Sequence, residues 1–153
     1  MIPRRIDAAR VAPMPWRNGL GATRELASDV DADGTLVWRL SLATLDRDAP
    51  FSAFPGMDRL LVALGAAELH IDGETHVLAQ GDQVRFAGEA EVHARVPAPT
   101  RALNVMTRRG AAHASVTLRA TLRTTPAATD LRDVVDLTVD LGTTVAEVRI
   151  RRA

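Results

Sequence analysis

Apolar and polar residues alternate along most of the chain in short stretches, which Gly, Pro and Asp interrupt about every eight to twelve residues. Successive side chains of a β-strand point to opposite sides. Residues 36–43 therefore predict a strand with Leu36, Trp38, Leu40 and Leu42 on one face and Val37, Arg39, Ser41 and Ala43 on the other. Similar strand patterns cover residues 59–64, 67–78, 83–88, 90–96, 101–108, 133–141 and 144–152.

The segment 67–78 predicts a β-hairpin, because Asp72-Gly73 is a strong signal for a two-residue turn. That turn would pair Leu69 with His76 and His70 with Thr75, so the two histidines would point to opposite sides and could not bind one metal ion. A three-residue loop would reverse this parity. The single helical candidate is a short segment near Asp130–Val135.

About ten short strands without a long helix predict two packed antiparallel sheets or a closed barrel. The 153 residues are enough for one domain, and 46% hydrophobic with 25% charged residues is ordinary for a globular protein. The absence of Cys excludes disulfides, a thiol nucleophile and Cys-ligated metal sites. No apolar run is long enough for a membrane span and the N-terminus lacks an apolar signal segment, so we expect a cytoplasmic protein with no membrane partner.

The charges narrow the function classes further. The 19 basic residues are all Arg, which excludes Schiff-base lysine chemistry, and they balance the 19 acidic residues. With this balance, no Tyr and 3% aromatic residues, we expect no nucleic-acid partner.

Three segments concentrate Gly, aromatic and polar residues beyond what strands require: 15–26 (PWRNGLGATREL), 51–59 (FSAFPGMDR) and 102–110 (ALNVMTRRG). Each also has a purely structural interpretation. The first can be a glycine loop that enters an edge strand. In the second, Asp58 and Arg59 can form an ion pair that fixes the loop, and the third can be a strand with one solvated face.

These segments, together with the strand at 38–43, resemble the HutD/Ves family. Members of that family show a W-x-N-G-G-G-x-T-like loop, a W-R-x-S-x-A strand, an F-S-x-F-P-G-x-D-R segment and an N-V-M-x-R-R-G-like strand, in this order. The resemblance covers about residues 14–110, and Leu20 stands here at the middle glycine of the loop. It implies an all-β, cupin-like fold, an RmlC-type jelly-roll β-barrel, within one domain (1–153) in which residues 111–153 form an abbreviated second cupin-like lobe.

Carried over residue by residue, the resemblance implies a ligand-binding set drawn from all four motifs: Trp16, Asn18, Gly19, Gly21, Thr23, Arg39, Ser41, Phe54, Pro55, Gly56, Asp58, Arg59, Asn104, Met106 and Arg108. Arg39 and Ser41 share one strand face, as do Asn104, Met106 and Arg108. If both faces meet in a barrel mouth, paired guanidinium groups would suit a carboxylate, which Arg binds with two hydrogen bonds.

The resemblance implies a small-molecule binding protein without established catalysis. Its ligand would be a small carboxylate such as formylglutamate or urocanate, and its role would be regulatory, in histidine utilisation or stress response. We expect no cofactor and no metal: residues 81–89 resemble one turn of a metal cupin, but the H-x-H motif is absent. A homodimer through edge strands is a further expectation.

Two alternatives stay open. One is a cupin enzyme, an isomerase or a metal-dependent oxygenase, for which only His93, Glu25 and Asp58 are candidate catalytic groups. The other is a structural or interaction barrel that binds no small ligand.

Overall fold

The computed structural model describes residues 5–120 and 133–153, and β-strands make up most of this part of the chain. Apart from a single 3-10 turn at Ala8–Arg10, the regular elements in the described ranges are strands, which confirms the all-β fold class. The strands are β1 Arg5–Asp7, β2 Met14–Pro15, β3 Gly21–Val30, β4 Leu36–Leu45, β5 Ala49–Pro50, β6 Met57–Ala63, β7 Ala67–Ile71, β8 Glu74–Leu78, β9 Gln83–Ala87, β10 Val92–Arg95, β11 Thr100–Arg108, β12 Ala112–Arg119, β13 Val134–Asp140 and β14 Val145–Arg152.

The strands form three sheets with free edges. The largest has the order β2-β3-β4-β11-β6-β9, and the two four-stranded sheets have the orders β1-β13-β14-β12 and β5-β10-β7-β8. All pairs are antiparallel except β1 and β13, which run parallel. Strands β8 and β9 each end a sheet, and the homodimer expected through edge strands remains a prediction.

The six-stranded sheet lies between the other two because both of its faces carry apolar side chains. On one face, fully buried Trp38, Leu40 and Leu103 join one core with residues of β12, β13 and β14. On the other face, Leu61 and Ala102 join a second core with residues of β7, β8 and β10. The alternation predicted for residues 36–43 is confirmed from Trp38 onward, although both faces of β4 are largely buried. The prediction is wrong for Val37, which joins the same core as Trp38 because the β3–β4 pairing shifts register at this point.

The hairpin predicted at residues 67–78 is confirmed, with β7 and β8 joined by the two-residue turn Asp72-Gly73. Both turn residues have positive φ, 49° and 82°, as a type I′ turn requires. The pairing of Leu69 with His76 and of His70 with Thr75 also holds. The two histidines thus point to opposite sides of the sheet.

The helical prediction near Asp130–Val135 is wrong at its C-terminal end, while residues 130–132 lie outside the described part of the chain. Val134 and Val135 begin β13 and pair with Arg151 and Ile150 of β14. Pairing with a neighbouring strand outweighs the weak local preference that the segment has for a helix.

The segment after Gly110 contributes β12, β13 and β14, which join β1 in one sheet. The division into a main lobe at 14–110 and a shortened second lobe at 111–153 remains a prediction. No helix among the described residues is long and apolar enough to cross a membrane.

Candidate functional site

A cavity of about 530 Å³ opens on the face of the six-stranded sheet that is turned toward the β5-β10-β7-β8 sheet. It combines residues from the glycine loop, from β4, β6 and β11, and from the segment after β5. Its lining consists of Met14, Pro15, Trp16, Arg17, Asn18, Thr23, Arg39, Ser41, Ala43, Pro50, Phe51, Ser52, Phe54, Arg59, Asn104 and Met106.

Strand register builds the polar floor of this cavity. Ser41 of β4 lies opposite Asn104 of β11, and Met106 of β11 lies between Arg39 of β4 and Arg59 of β6. Residues directly opposite each other on paired strands share one face of the sheet. The described chain has four buried polar or charged residues, and three of them, Ser41, Asn104 and Arg59, line the cavity.

Arg59 is the most buried charged group of the cavity, with 8% of its surface exposed. Its guanidinium carbon lies 5.1–5.4 Å from the centroids of the Phe51, Phe54 and Phe86 rings. These are the three phenylalanines of the chain. Such cation–π contacts stabilise a guanidinium that has lost part of its hydration.

The two hydrogen bonds of Arg59 use two of its five N–H donors. Nη1 donates to the Ser52 carbonyl at 3.2 Å, and Nη2 lies 3.5 Å from Asn104 Oδ1. Nε is buried and has no hydrogen-bond partner among the described residues. The unused N–H groups on Nη1 and Nη2 are the further donors that this side chain can offer to an acceptor.

The charge of Arg59 is also unpaired, because no carboxylate in the described ranges lies within ion-pair distance of it. Burial lowers the pKa of Arg59 to about 10, since a low-dielectric environment disfavours the charged form. The guanidinium is therefore still protonated at neutral pH. A buried and unneutralised cation in a cavity favours an anionic ligand.

Arg39, the second cationic side chain of the floor, has a partner of its own. Its Nε lies 2.9 Å from Glu25 Oε1 on β3, although the N–H is not aligned for a hydrogen bond. Glu25 lies opposite Ser41 in the register of β3 and β4, so its side chain is on the cavity face. The two arginines thus enter the cavity in different charge environments.

The glycine loop forms one wall through Trp16. The indole Nε1 of Trp16 donates to Thr23 Oγ1 at 2.8 Å, and the ring packs edge-to-face on Phe51 at 6.3 Å. A Cβ at Gly21 would lie 3.1 Å from the Trp16 ring and 2.5 Å from the Thr44 carbonyl oxygen, so this position accepts only glycine without a shift. Gly21 and Gly19 (φ 71°) therefore shape the loop and lie outside the lining.

The Phe54–Gly56 turn forms the opposite wall and is fastened to the segment after β9. The Phe54 amide donates to the Gly88 carbonyl at 2.7 Å, and the Gly88 amide donates to the Met57 carbonyl at 2.7 Å. Glu89 accepts a hydrogen bond from the Gly56 amide at 3.1 Å. Gly56 and Pro55 thus hold the wall in place but do not line the cavity.

Asp58 does not pair with Arg59, so the ion pair suggested by the sequence is wrong. Neighbouring residues of a strand point to opposite sides, and Asp58 instead accepts a hydrogen bond from Arg109 Nε at 2.9 Å. Arg109 also bonds to Glu89 at 2.7 Å and to the Met57 carbonyl at 3.1 Å. Asp58 belongs to this clamp outside the cavity.

Arg108 is likewise placed outside the lining. Its Nη1 donates to Asp31 Oδ2 at 2.9 Å. The guanidinium groups that the structure brings to the cavity floor are those of Arg39 and Arg59, not Arg39 and Arg108.

Nine of the residues implied by the family resemblance line the cavity: Trp16, Asn18, Thr23, Arg39, Ser41, Phe54, Arg59, Asn104 and Met106. Sequence reasoning missed seven lining residues, Met14, Pro15, Arg17, Ala43, Pro50, Phe51 and Ser52, and it missed Phe86 behind Arg59. Phe51 and Ser52 stand in a motif that the sequence already displays. Phe86 is the register partner of Arg59 on β9, and no linear motif marks it.

The catalytic candidates of the enzyme interpretation do not meet in the cavity. His93 pairs with His70 on the β10–β7 ladder, Asp58 is held by Arg109, and Glu25 is paired with Arg39. In the described ranges, no group of three or more His, Asp or Glu side chains is arranged to hold a metal ion.

Sequence comparison gives the relatives of this chain. A family model described as HutD matches residues 8–151. Over 106 residues, 66% of the chain, the sequence is 36% identical to Protein Ves of Citrobacter koseri and 35% identical to Protein Ves of Escherichia fergusonii. These residues are 56% of each relative, so the chain spans about half the length of the curated relatives it matches.

Three solved structures share the fold. HutD from Pseudomonas fluorescens SBW25 gives a TM-score of 0.70 at 23% identity over 96% of this chain and 92% of that one. A conserved protein of unknown function from Pseudomonas aeruginosa PAO1 gives 0.67 at 22% identity, over 96% and 91%. An RmlC-like cupin from Shewanella frigidimarina gives 0.53 at 13% identity, over 65% and 86%. The chain belongs to the HutD family and has a cupin-like fold.

Proposed function

We propose that this protein binds a small carboxylate in the cavity, of the formylglutamate or urocanate type, and that it acts in the cytoplasm as a regulator of histidine utilisation or of a stress response. The observation that carries the proposal is the Arg59 guanidinium, which is buried, protonated and without a carboxylate partner in the described chain. A ligand carboxylate would supply the negative charge that this guanidinium lacks.

The neighbouring groups support a carboxylate rather than another anion. A carboxylate can accept hydrogen bonds from two nitrogens of one guanidinium, and each terminal nitrogen of Arg59 has a second N–H beyond its bond to Ser52 or Asn104. Ser41 and Asn104 add a hydroxyl and an amide beside it on the cavity floor. The rings of Phe51 and Phe54 lie against the guanidinium and help to bury it, and charges interact more strongly where water is displaced.

The regulatory part of the proposal rests on the family alone. In this view, the fraction of cavities that hold a carboxylate follows the concentration of that metabolite. Binding then alters either a partner protein or the free concentration of the metabolite. We do not propose the enzyme alternative, because its three catalytic candidates do not meet in the cavity and no group of three or more His, Asp or Glu side chains of the described residues is arranged to hold a metal ion.

Isothermal titration of formylglutamate and urocanate into the wild type and Arg59→Gln tests the binding site. Removal of one partner of a buried charge pair costs about 2 kcal/mol or more, so we expect affinity to fall by about 30-fold or more. Arg85→Gln is the matched control, since Arg85 precedes Phe86 on β9 but donates to the Ala114 carbonyl and lies outside the cavity lining. Its affinity should equal that of the wild type.

Three results would contradict the proposal, and the third is a thermal-shift screen without any response. The first is equal carboxylate affinity in the wild type and Arg59→Gln. The second is a thermal-shift screen in which divalent metals raise the melting temperature and histidine-pathway acids do not, since ligands that bind the native state stabilise it. The second result would favour the cupin enzyme, and a screen without any response would favour an interaction barrel.

A further inference from the structure

We propose that strand β8 is an interaction surface, and that its partner is β8 of a second copy of this chain. The two strands pair antiparallel around a two-fold axis at His76 and join the β5-β10-β7-β8 sheets of both copies into one continuous sheet. This surface is separate from the cavity, because no residue of β8 lines the cavity. A test of the dimer therefore does not depend on the ligand.

Most strands that end a described sheet are short or covered, and β8 is the exception. Strands β2 and β5 have two residues each and contain a proline, and β1 has three residues. Strands β9 and β12 are bonded to each other through side chains, since Gln83 donates to the Val116 carbonyl at 2.8 Å and Arg85 to the Ala114 carbonyl at 2.7 Å. Short length, proline and cover are the usual protections against edge pairing. Strand β8 has five residues and no proline, and β7 is its one paired strand in the described ranges.

The β7–β8 turn determines which backbone groups of β8 are free. In a two-residue hairpin, the residues that flank the turn, here Ile71 and Glu74, exchange both of their backbone hydrogen bonds. Bonded pairs then alternate with non-bonded pairs along the ladder, so His76 also bonds to β7. The N–H and C=O groups of Thr75 and Val77 point away from β7, and no other strand of the described chain bonds to them.

These free groups of two copies match completely in one register. With His76 on the two-fold axis, Thr75 of each copy lies opposite Val77 of the other, and every free N–H meets a free C=O. An axis at Thr75 would place Val77 opposite Gly73, a turn residue with a φ of 82°. An axis at Val77 would place Thr75 opposite Ala79, whose amide is already bonded to a side chain. The edge of β8 is therefore complementary to itself.

The side chains of this register fit as well. Val77 is the most exposed large apolar residue of the described chain, with 80% of its surface exposed. In the dimer it lies beside Thr75 of the second copy, and contacts between β-branched side chains on neighbouring strands stabilise a sheet. The contact is limited to the length of one short strand. We therefore expect a weak dimer, as is typical of small interfaces.

Sedimentation of the wild type from about 10 μM to about 1 mM tests the dimer, because a small interface is populated in this range. Val77→Lys places a charge on the edge and removes both Thr75–Val77 contacts, so dimerisation should weaken at least about tenfold. Val30→Lys is the matched control, since Val30 is also exposed, at 49%, and ends β3 in the six-stranded sheet. It should associate like the wild type.

A cysteine cross-link tests the register, because the chain contains no Cys. His76→Cys places the two thiols at a non-hydrogen-bonded pair, where a Cα separation of about 4.5 Å allows a disulfide. Val77→Cys is the matched control, since the two copies of residue 77 are diagonal neighbours about 8 Å apart, beyond the reach of a disulfide. Mild oxidation should yield several-fold more covalent dimer with His76→Cys, although Val77 is highly exposed.

Three results would overturn the inference: a wild type that stays monomeric up to about 1 mM, a dimer that Val77→Lys leaves unchanged, or equal cross-linking of Val77→Cys and His76→Cys. A thermal melt checks that each variant folds, and the cross-link decides if Val77→Lys does not. Carboxylate affinity in Val77→Lys should equal that of the wild type, since Val77 lies outside the cavity lining.

Discussion

The two faces of the six-stranded sheet have the same strands but opposite chemistry. On the face toward β12–β14, Leu40, Leu103 and Val105 of β4 and β11 belong to one apolar core, and the buried polar residue on this face is Thr107 at the end of β11. On the other face, the same two strands carry Arg39, Ser41, Asn104 and Met106, and the apolar core is confined to one end of the sheet.

This difference separates residues that stabilise the protein from residues that give it a site. A buried strand can be apolar on both faces at little cost, whereas buried polar groups reduce stability unless they are paired. The cavity face keeps three such groups, of which Arg59 has an unpaired charge and an unpaired donor among the described residues. The concentration of three of the four buried polar or charged residues of the described chain on the cavity face supports the proposal that a ligand binds there.

The largest loss of stability should come from a substitution on the apolar face of the six-stranded sheet. Leu103→Ala leaves a cavity at a fully buried site, so we expect the free energy of unfolding to fall by about 3 kcal/mol. Ser41→Ala on the opposite face removes a smaller group and should cost less than about 1 kcal/mol. Urea denaturation of both variants measures the difference, and similar losses would show that the two faces contribute alike to stability.

A smaller effect should come from the wall of the cavity. A Cβ at Gly88 would overlap the carbonyl oxygen of Phe54 and lie 2.8 Å from that of Met57. Gly88→Ala must therefore displace the Phe54 turn, and overpacking of this kind costs about 1–3 kcal/mol.

The measurement pairs urea denaturation with carboxylate titration. We expect Gly88→Ala to lose more carboxylate affinity than Leu103→Ala for each kcal/mol of lost stability. The reason is that Gly88→Ala displaces Phe54, whose ring contacts Arg59. Equal affinity in Gly88→Ala and the wild type would mean that the Phe54 turn has no part in binding.

Most of the strands were predictable because their signals are local. Alternation predicted β4, and Asp72-Gly73 predicted both the β7–β8 turn and its register. The Asp130–Val135 prediction failed at Val134 and Val135 because their strand character comes from pairing with β14, which is not visible in the segment itself.

The site was predictable only as far as its motifs extend. The motifs identified Arg39, Arg59 and Asn104, but the motif and the face parity along β11 also placed Arg108 with them. In the structure Arg108, at the end of β11, is bonded to Asp31. Phe86 joins Arg59 through the β6–β9 register, so only the assembled sheet reveals it.

The smallest effect concerns the clamp outside the cavity, and it should depend on pH. Hydrogen bonds from Arg109 and from the Gly56 amide lower the pKa of Glu89 from its ordinary value of 4.5 to about 2. A carboxyl with a lowered native pKa stabilises the fold above its unfolded pKa and loses that contribution as pH falls through the native value. The stability difference between the wild type and Glu89→Gln should thus be complete at neutral pH.

Below pH 4.5 that difference should shrink, and it should vanish near pH 2, since the amide introduced by Glu89→Gln does not titrate. Urea midpoints of both proteins between about pH 2 and pH 7 measure it, with Asp136→Asn as a control for an ion pair elsewhere. Carboxylate affinity at neutral pH should change little, because Glu89 lies outside the cavity lining. A stability difference that does not change with pH would show that Glu89 acts through its size rather than its charge. The contacts of Glu89 with Arg109 and Gly56 would then stabilise the fold by packing.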